Sequence, residues 1–168
     1  MPRSPVILQI ASVPTPQGNF RAHFSAEGLA QLDFPEAGVE TVAKLPAPYC
    51  DWAAQTEAAL HTALAARPGG KPPPFPPLDL SVGTKFRRLV WAELRRIPRG
   101  GSRSYGEIAA ELGKRRAARA VGGACGANPI PVLIPCHRVI AANGSLGGFS
   151  GGLEWKRRLL AIEGVLLT

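Results

Sequence analysis

The chain has 168 residues and a net charge of +8, with 45% hydrophobic and 19% charged residues. This length predicts one domain or a main domain with a small partner, and the composition excludes wholesale disorder. No apolar run approaches the ~18 residues that a bilayer span needs, and residues 1–13 are too short and proline-interrupted for a secretory signal. Three cysteines without close pairing favour a reducing compartment, so we expect a cytoplasmic protein.

The charge is distributed unevenly along the chain. Residues 1–80 hold five basic and seven acidic residues, a net charge of −2, whereas residues 81–168 hold 15 basic and five acidic residues, a net charge of +10. Fifteen of the twenty basic residues are arginines, which pair bidentately with phosphate. A polyanionic partner and a merely solvated basic face explain this charge equally well.

A proline-rich segment predicts the domain boundary. The stretch RPGGKPPPFPP at residues 67–77 contains six prolines, which prevent a helix or a central strand. We therefore expect a small N-terminal α/β domain at 1–67, a linker at 68–80 and a second domain at 81–168. The elements predicted before the linker are three strands and one helix: Val6–Val13, Gly18–Ser25, Gly28–Phe34 and Asp51–Ala66.

The second domain is predicted to be mostly helical. Thr84 can cap a helix at Lys85–Ile97, whose apolar positions are Phe86, Leu89, Val90, Leu94 and Ile97. Ser104 and Glu107 have capping-box spacing and open a helix that runs to Leu112, where Gly113 ends it. A helix at about 117–126 follows, so the pair predicts a helix-turn-helix and an α+β protein with a winged-helix-like second domain.

The second helix of this pair is poor in side chains. Gly122 and Gly123 each cost about 1 kcal/mol relative to alanine inside a helix. Arg119 is its one long side chain, whereas a helix that reads the major groove carries several. A thin helix with one arginine fits the narrower minor groove better. Tight packing of this helix inside a protein core remains the other explanation.

The motif Pro-Cys-His-Arg at residues 135–138 is the chemical centre of the sequence. It follows the apolar run Ile130–Ile134, which predicts a buried segment that presents Cys136 at a corner of the chain. The thiolate is the reactive form of cysteine, and an imidazole nearby can help to form it. Neighbouring residues rarely point the same way, so a contact between Cys136 and His137 would run through a water or a turn. A relay of this kind needs a carboxylate behind the imidazole.

A glycine-rich segment and a last helix follow the motif. The segment NGSLGGFSGG at residues 143–152 allows close backbone approach to a ligand, but its spacing is not that of a phosphate-binding loop. The helix Leu153–Ile162 is predicted to bury Trp155, Leu159 and Ile162 and to end at Glu163.

Residues 82–164 closely resemble the O6-alkylguanine-DNA alkyltransferase family, also called methylated-DNA–protein-cysteine methyltransferases. The matching stretches occur in the family's order and spacing: SYGEIAAELG, RAVGGACGANPIPVLIPCHRVI and LGGFSGGLEWKRRLLAIEG. The resemblance implies DNA repair by irreversible, single-turnover transfer of the alkyl group from O6-alkylguanine, or O4-alkylthymine, in DNA to a cysteine. It implies a monomer that flips the damaged base out of double-stranded DNA, binds through the minor groove and needs no cofactor.

The resemblance also assigns roles to individual residues. Cys136 is the nucleophile, His137 deprotonates it through a water, Glu163 orients His137, and Asn128 fixes the geometry of the active loop. Arg119 is the finger that fills the gap left by the flipped nucleotide, and Tyr105 assists the rotation and can protonate the departing guanine. The remaining residues contact the DNA backbone (Gly106, Lys114, Ala142) or line the guanine pocket (Val139, Phe149, Ser150).

Two departures and three alternatives accompany this assignment. Phe149 stands where some family members carry tyrosine, which leaves the substrate preference open. The metal ligands of some members have no counterpart among Cys50, His23 and His61, so no metal is predicted. The alternatives are a non-catalytic protein that binds alkylated bases and a helix-turn-helix DNA-binding regulator. A cysteine hydrolase built on Cys136 and His137 is a third possibility.

Overall fold

The computed structural model describes residues 5–36, 44–66 and 73–165. These residues fall into two units, which divide between Val82 and Gly83. The first unit contains a small antiparallel sheet and one helix, and helices predominate in the second, so the predicted α+β class is confirmed. No helix within the described ranges is long and apolar enough to cross a membrane.

Alternating apolar residues build the sheet of the first unit. Its strands are β1 (Gln9–Val13), β2 (Phe20–Phe24) and β3 (Leu29–Asp33), and they pair antiparallel in this order. Every second residue of β2 is buried, which is the pattern of a strand with one face against a core. Helix α1 (Tyr49–Leu64) packs on this sheet and buries Leu60 and Leu64. All four elements lie at their predicted places, with β1 shorter because it begins at Gln9 rather than at Val6.

The end of the predicted linker belongs to this first unit. Leu29 N–H donates to Pro77 O at 2.8 Å, and Asp79 N–H donates to Leu29 O at 2.8 Å. Ser25 Oγ donates to the buried Asp79 carboxylate at 2.6 Å. These bonds attach residues 77–79 to β3, so the division of the structure falls after residue 82 rather than at residue 80. Residues 68–72 of the predicted linker lie outside the described residues.

The second unit begins with helix α2 (Lys85–Leu94), which Thr84 caps by accepting a hydrogen bond from Arg87 N. Its buried residues are Val90, Trp91 and Leu94. Leu89, one of the apolar positions of the predicted helix, is 44% exposed, because the buried face passes through Trp91 instead. Trp91 Nε1 donates to Ala124 O at 2.8 Å, a bond that joins α2 to the helix at 118–126.

The predicted helix-turn-helix pair is confirmed. Helix α3 (Tyr105–Glu111) opens with the predicted capping box, in which Ser104 Oγ accepts from Glu107 N and Glu107 Oε2 accepts from Ser104 N. Gly113 has a φ of +68°, and its N–H bonds back to Ala110 O, which ends the helix. Helix α4 (Ala118–Gly126) follows and packs on α3.

Three short elements and a last helix complete the second unit. Strand β4 (Arg103–Ser104) pairs in parallel with β5 (Val139–Ile140), and a 3₁₀ turn at Cys136–Arg138 precedes β5. Helix α5 (Leu153–Ile162) has the predicted bounds. Its buried residues are Lys156, Leu159 and Leu160, whereas Trp155 and Ile162, which were predicted to be buried, are only half-buried. Lys156 can occupy the inner face because backbone carbonyls surround its ammonium group.

Candidate active site

Asn128 organises the loop that carries the cysteine. Its Nδ2 donates to Ile134 O at 2.8 Å and to Cys136 Sγ at 3.1 Å, and its Oδ1 accepts from Ile130 N at 3.0 Å. Asn128 lies two residues beyond α4 and is only 6% exposed. One side chain therefore connects the end of the helix-turn-helix to both sides of the loop and to the sulfur atom.

The same loop contains a strained residue. Val132 has a φ of +73°, a conformation that is unusual for a β-branched side chain and costs roughly 1–3 kcal/mol. It is 4% exposed, and an isolated bridge between Pro131 and Ile134 closes the turn around it. The bonds of Asn128 on either side of Val132 hold the backbone in this conformation. The loop is therefore rigid where it leads into Cys136.

Cys136 rests as a thiol rather than as a thiolate. It is 3% exposed and begins the 3₁₀ turn. Burial raises the pKa of Cys136 to about 11, although the Asn128 amide and the charge of Lys156 act in the opposite direction. The other buried cysteine, Cys125, has a pKa raised by burial to about 12. A reaction at Cys136 near neutral pH therefore needs a base that removes the proton.

His137 and Glu163 form a buried pair. His137 Nε2 lies 2.9 Å from Glu163 Oε1, and the two side chains are 2% and 3% exposed. Burial acts to raise the pKa of Glu163, but hydrogen bonds and charges from His137 and Arg138 outweigh it and lower the pKa to about 2. An ionised carboxylate can only accept, so His137 Nε2 carries the proton in the neutral imidazole.

The second ring nitrogen of His137 is the candidate base. Burial lowers the pKa of His137, so the imidazole is neutral near pH 7. With the proton on Nε2, the Nδ1 atom has a lone pair available. This atom is buried and has no hydrogen-bond partner among the described residues. His137 and Glu163 therefore lie side by side, as predicted. The Nδ1 atom of His137, the residue after Cys136, can accept a proton.

Lys156 fastens the glycine-rich segment to β5. It is 0% exposed, and its Nζ donates to three backbone carbonyls: Val139 O at 2.6 Å, Gly148 O at 3.4 Å and Leu146 O. Burial lowers the pKa of Lys156, and the nearby thiols act in the opposite direction. The sequence prediction missed this residue. Its spacing of three and four residues from Leu159 and Leu160 was the available signal.

Tyr105 packs against the glycine-rich segment. Gly147 has a φ of +66°, and a Cβ atom there would lie 2.5 Å from the Tyr105 hydroxyl oxygen, so the position requires glycine. A Cβ atom on Gly122 of α4 would lie 3.8 Å from the same ring. Burial is the main cause that raises the pKa of Tyr105, and negative charge on Cys125 or Cys136 acts in the same direction when either is ionised.

Helix α4 presents a thin outer face. Arg119, Gly123 and Gly126 are exposed, and a Cβ atom on either of these glycines would meet nothing within 4 Å. Packing inside the protein therefore does not account for Gly123 or Gly126. The face has room for another surface to approach the backbone closely.

The predicted site residues separate into two groups. Cys136, Asn128, His137 and Glu163 are linked to one another by hydrogen bonds or by adjacency in the chain, and Val139 follows them as a buried residue of β5. Phe149 is half-buried. Tyr105 is also half-buried. The other predicted contacts are exposed and make no bond to this core in the described ranges: Gly106, Lys114, Arg119, Ala142 and Ser150. No group of three or more His, Cys, Asp or Glu side chains in the described part of the chain could hold a metal ion.

Comparisons with known proteins point to one family. The family model of the 6-O-methylguanine DNA methyltransferase DNA binding domain matches residues 85–165. The fold is similar to the crystal structure of Mycobacterium tuberculosis OGT in complex with DNA, with a TM-score of 0.71 and 35% sequence identity. The match covers 92% of this chain and 91% of the OGT chain.

Two curated relatives are both named methylated-DNA--protein-cysteine methyltransferase. The protein from Salmonella typhimurium is 56% identical over 85 residues, and the one from Mycolicibacterium paratuberculosis is 57% identical over 86 residues. These stretches cover 51% of this chain and 50% and 52% of the two relatives. The chain therefore matches about half the length of these curated relatives.

The fold and the buried cysteine define a class of helix-turn-helix protein in which the second helix leads directly into the cysteine loop. The similarity to OGT extends over nine tenths of both chains. The chain belongs to the O6-methylguanine DNA methyltransferase family.

Proposed function

We propose that this protein repairs DNA by transferring the alkyl group from O6-alkylguanine to Cys136, irreversibly and once per chain. The observation that carries the proposal is the arrangement around the sulfur atom. A protonated, buried thiol is held by Asn128, and the next residue presents a neutral imidazole supported by an ionised carboxylate. The names of the curated relatives favour the same reaction.

The proton leaves the thiol before the alkyl group arrives. The proton on Cys136 Sγ passes through a water to His137 Nδ1, and Glu163 stabilises the resulting imidazolium. The thiolate attacks the alkyl carbon, so an S–C bond forms while the C–O6 bond breaks and its electron pair goes to the guanine. The Tyr105 hydroxyl donates a proton to the departing base. O4-alkylthymine can react by the same steps.

The product explains why one chain acts once. A thioether on Cys136 resists hydrolysis and ordinary reductants, so no step regenerates the thiol. The alkyl donor is the damaged DNA itself, and the reaction needs no cofactor. We place the protein in the reducing cytoplasm, to which its three free cysteines are suited, and expect it to act as a monomer.

Double-stranded DNA is the proposed partner, bound through its minor groove. An alkylated guanine inside the stack must be flipped out before Cys136 can reach it, and a damaged pair is easier to open. The thin face of α4 fits a groove ~6 Å wide, and Arg119 fills the gap in the stack. The relative from Mycobacterium tuberculosis was crystallised with DNA.

The other predicted contacts have supporting roles in this proposal. Gly106, Lys114 and Ala142 are exposed and contact the DNA backbone, while the net charge of +10 in residues 81–168 adds affinity for phosphates. Val139, Phe149 and Ser150 line the pocket for the flipped base. Tyr105 also crowds the 3′ phosphate of the target nucleotide.

A fluorescent O6-alkylguanine derivative tests the proposal. We expect covalent labelling of the wild type that stops at one equivalent per chain. Cys136→Ala should lose the label, whereas Cys125→Ala, which removes the other buried thiol, should keep it. Continued turnover would indicate a hydrolase. DNA binding without labelling would indicate a lesion-binding protein or a regulator, and either result would refute the proposal.

A further inference from the structure

Arg138 is the most heavily bonded side chain near the proposed relay, yet the mechanism above does not use it. Its Nε lies 3.2 Å from Glu163 Oε1 and 3.0 Å from Oε2, and its Nη2 lies 2.8 Å from Oε1. Its Nη1 donates to Ile97 O at 2.6 Å. The side chain is 14% exposed, so solvent screens these contacts only weakly.

The guanidinium fixes the position of the carboxylate. Glu163 follows the last residue of α5, and helix ends fray unless they are held. Arg138 donates hydrogen bonds to both carboxylate oxygens of Glu163 and to the Ile97 carbonyl, three residues after α2. Gly100 N also donates to Glu163 Oε2 at 3.2 Å. These bonds leave Oε1 directed at His137 Nε2.

The guanidinium also changes the charge balance of the imidazole. A buried carboxylate alone would favour the protonated imidazolium. The charged groups that face His137 are Glu163, Arg138 and, more weakly, Lys156, and the two cations oppose its protonation. Two positive charges and one negative charge around His137 favour the neutral ring.

We propose that Arg138 is a positioning residue of the relay, an inference that rests on the function proposed above. It holds Glu163 in the orientation that receives the His137 Nε2–H, and it keeps His137 neutral and able to take the thiol proton at physiological pH. An arginine suits this role better than a lysine, because its planar fork binds both carboxylate oxygens and the Ile97 carbonyl at once.

The direct test is an NMR titration of the His137 ring in the Cys136→Ala background. Replacement of Arg138 by Met should move the midpoint of His137 to higher pH, whereas Arg138→Lys, which retains the charge, should move it much less. Arg158→Met is the matched control on the exposed face of α5 and should leave the midpoint unchanged. This readout does not depend on alkyl transfer, so it separates a failure of the inference from a failure of the proposed function.

The kinetic test uses a duplex that contains O6-methylguanine and proteins with Cys136 intact. Arg138→Met should lose rate at every pH because Glu163 is no longer held, and on the acidic side it should lose about tenfold more for each pH unit that the midpoint rises. An unmoved His137 midpoint in Arg138→Met, or a loss of rate in Arg138→Met that does not grow towards acidic pH, would overturn the inference. If Arg138→Met does not fold, Arg138→Lys should lose rate evenly across pH; wild-type rates would then refute the positioning role.

Discussion

Asn128→Ala should destabilise the second unit strongly and slow alkyl transfer. The substitution leaves Ile130 N–H without a partner and removes the amide donor from Cys136 Sγ and from Ile134 C=O, which still accepts from Cys136 N–H at 2.8 Å. Ile130 and Ile134 are 0% exposed, so water does not readily replace the lost bonds. It also releases the loop that holds Val132 in its strained conformation.

The size of the effect follows from the two backbone groups. The unpartnered Ile130 N–H costs roughly 1–3 kcal/mol and the lost second bond to Ile134 C=O costs about 1 kcal/mol, so the expected loss is about 2–4 kcal/mol. The sulfur is a weak acceptor and adds little to stability. Loss of the amide donor, however, removes a contribution that lowers the pKa of Cys136, so the thiolate becomes harder to form.

Urea unfolding followed by circular dichroism measures the loss of stability, and the single-turnover rate with O6-methylguanine duplex measures the chemistry. Asn143→Ala is the matched control, because Asn143 Oδ1 accepts from Ser145 N at 3.1 Å on an exposed surface. We expect it to change the free energy of unfolding by less than about 1 kcal/mol. Equally small losses in both variants would refute the claim that Asn128 holds the loop.

Three further predictions concern the relay, the finger and the glycine-rich segment. The pKa of Glu163 lies below its ordinary value of 4.5, so this group contributes about 3 kcal/mol that is present above pH 4.5 and lost as the pH falls towards 2. The lowered pKa of His137 adds a loss that begins below pH 6.5. Glu163→Gln should therefore flatten the dependence of urea unfolding on pH below 4.5 and slow alkyl transfer with DNA affinity nearly intact; an unchanged slope or rate would contradict this. Arg119→Ala should weaken repair of duplex DNA far more than reaction with free alkylguanine, with Arg96→Ala as the exposed control, and equal losses on both substrates would remove the finger role. Lys156→Met should lower the free energy of unfolding in urea by about 2–5 kcal/mol, because the carbonyls of Val139, Leu146 and Gly148 lose their donor. An unchanged free energy of unfolding would show that water replaces the ammonium group.

Local patterns accounted for most of the fold. The capping box at Ser104 and the stop at Gly113 depend on residues close in sequence, so their geometry could be predicted from spacing alone. The burial of Trp91 in place of Leu89 depends on where α4 packs, because the indole donates to Ala124 O. A contact 33 residues away leaves no trace in the periodicity of α2.

The candidate site also contains residues that the sequence predicted and residues that it did not. The proximity of His137 and Glu163 followed from the family resemblance rather than from any local pattern, since 26 residues separate them. Lys156 and Arg138 were overlooked because charged side chains are ordinarily placed at the surface. Their burial depends on carbonyls and a carboxylate that only the folded chain brings together.

Intact-mass spectrometry with peptide mapping tests the central claim most directly. The protein is mixed with excess duplex that contains O6-methylguanine, and each chain is expected to gain one methyl group, located on Cys136. An unmodified chain after loss of the methyl group from DNA, or a methyl group located on Cys125 or elsewhere, would contradict the account.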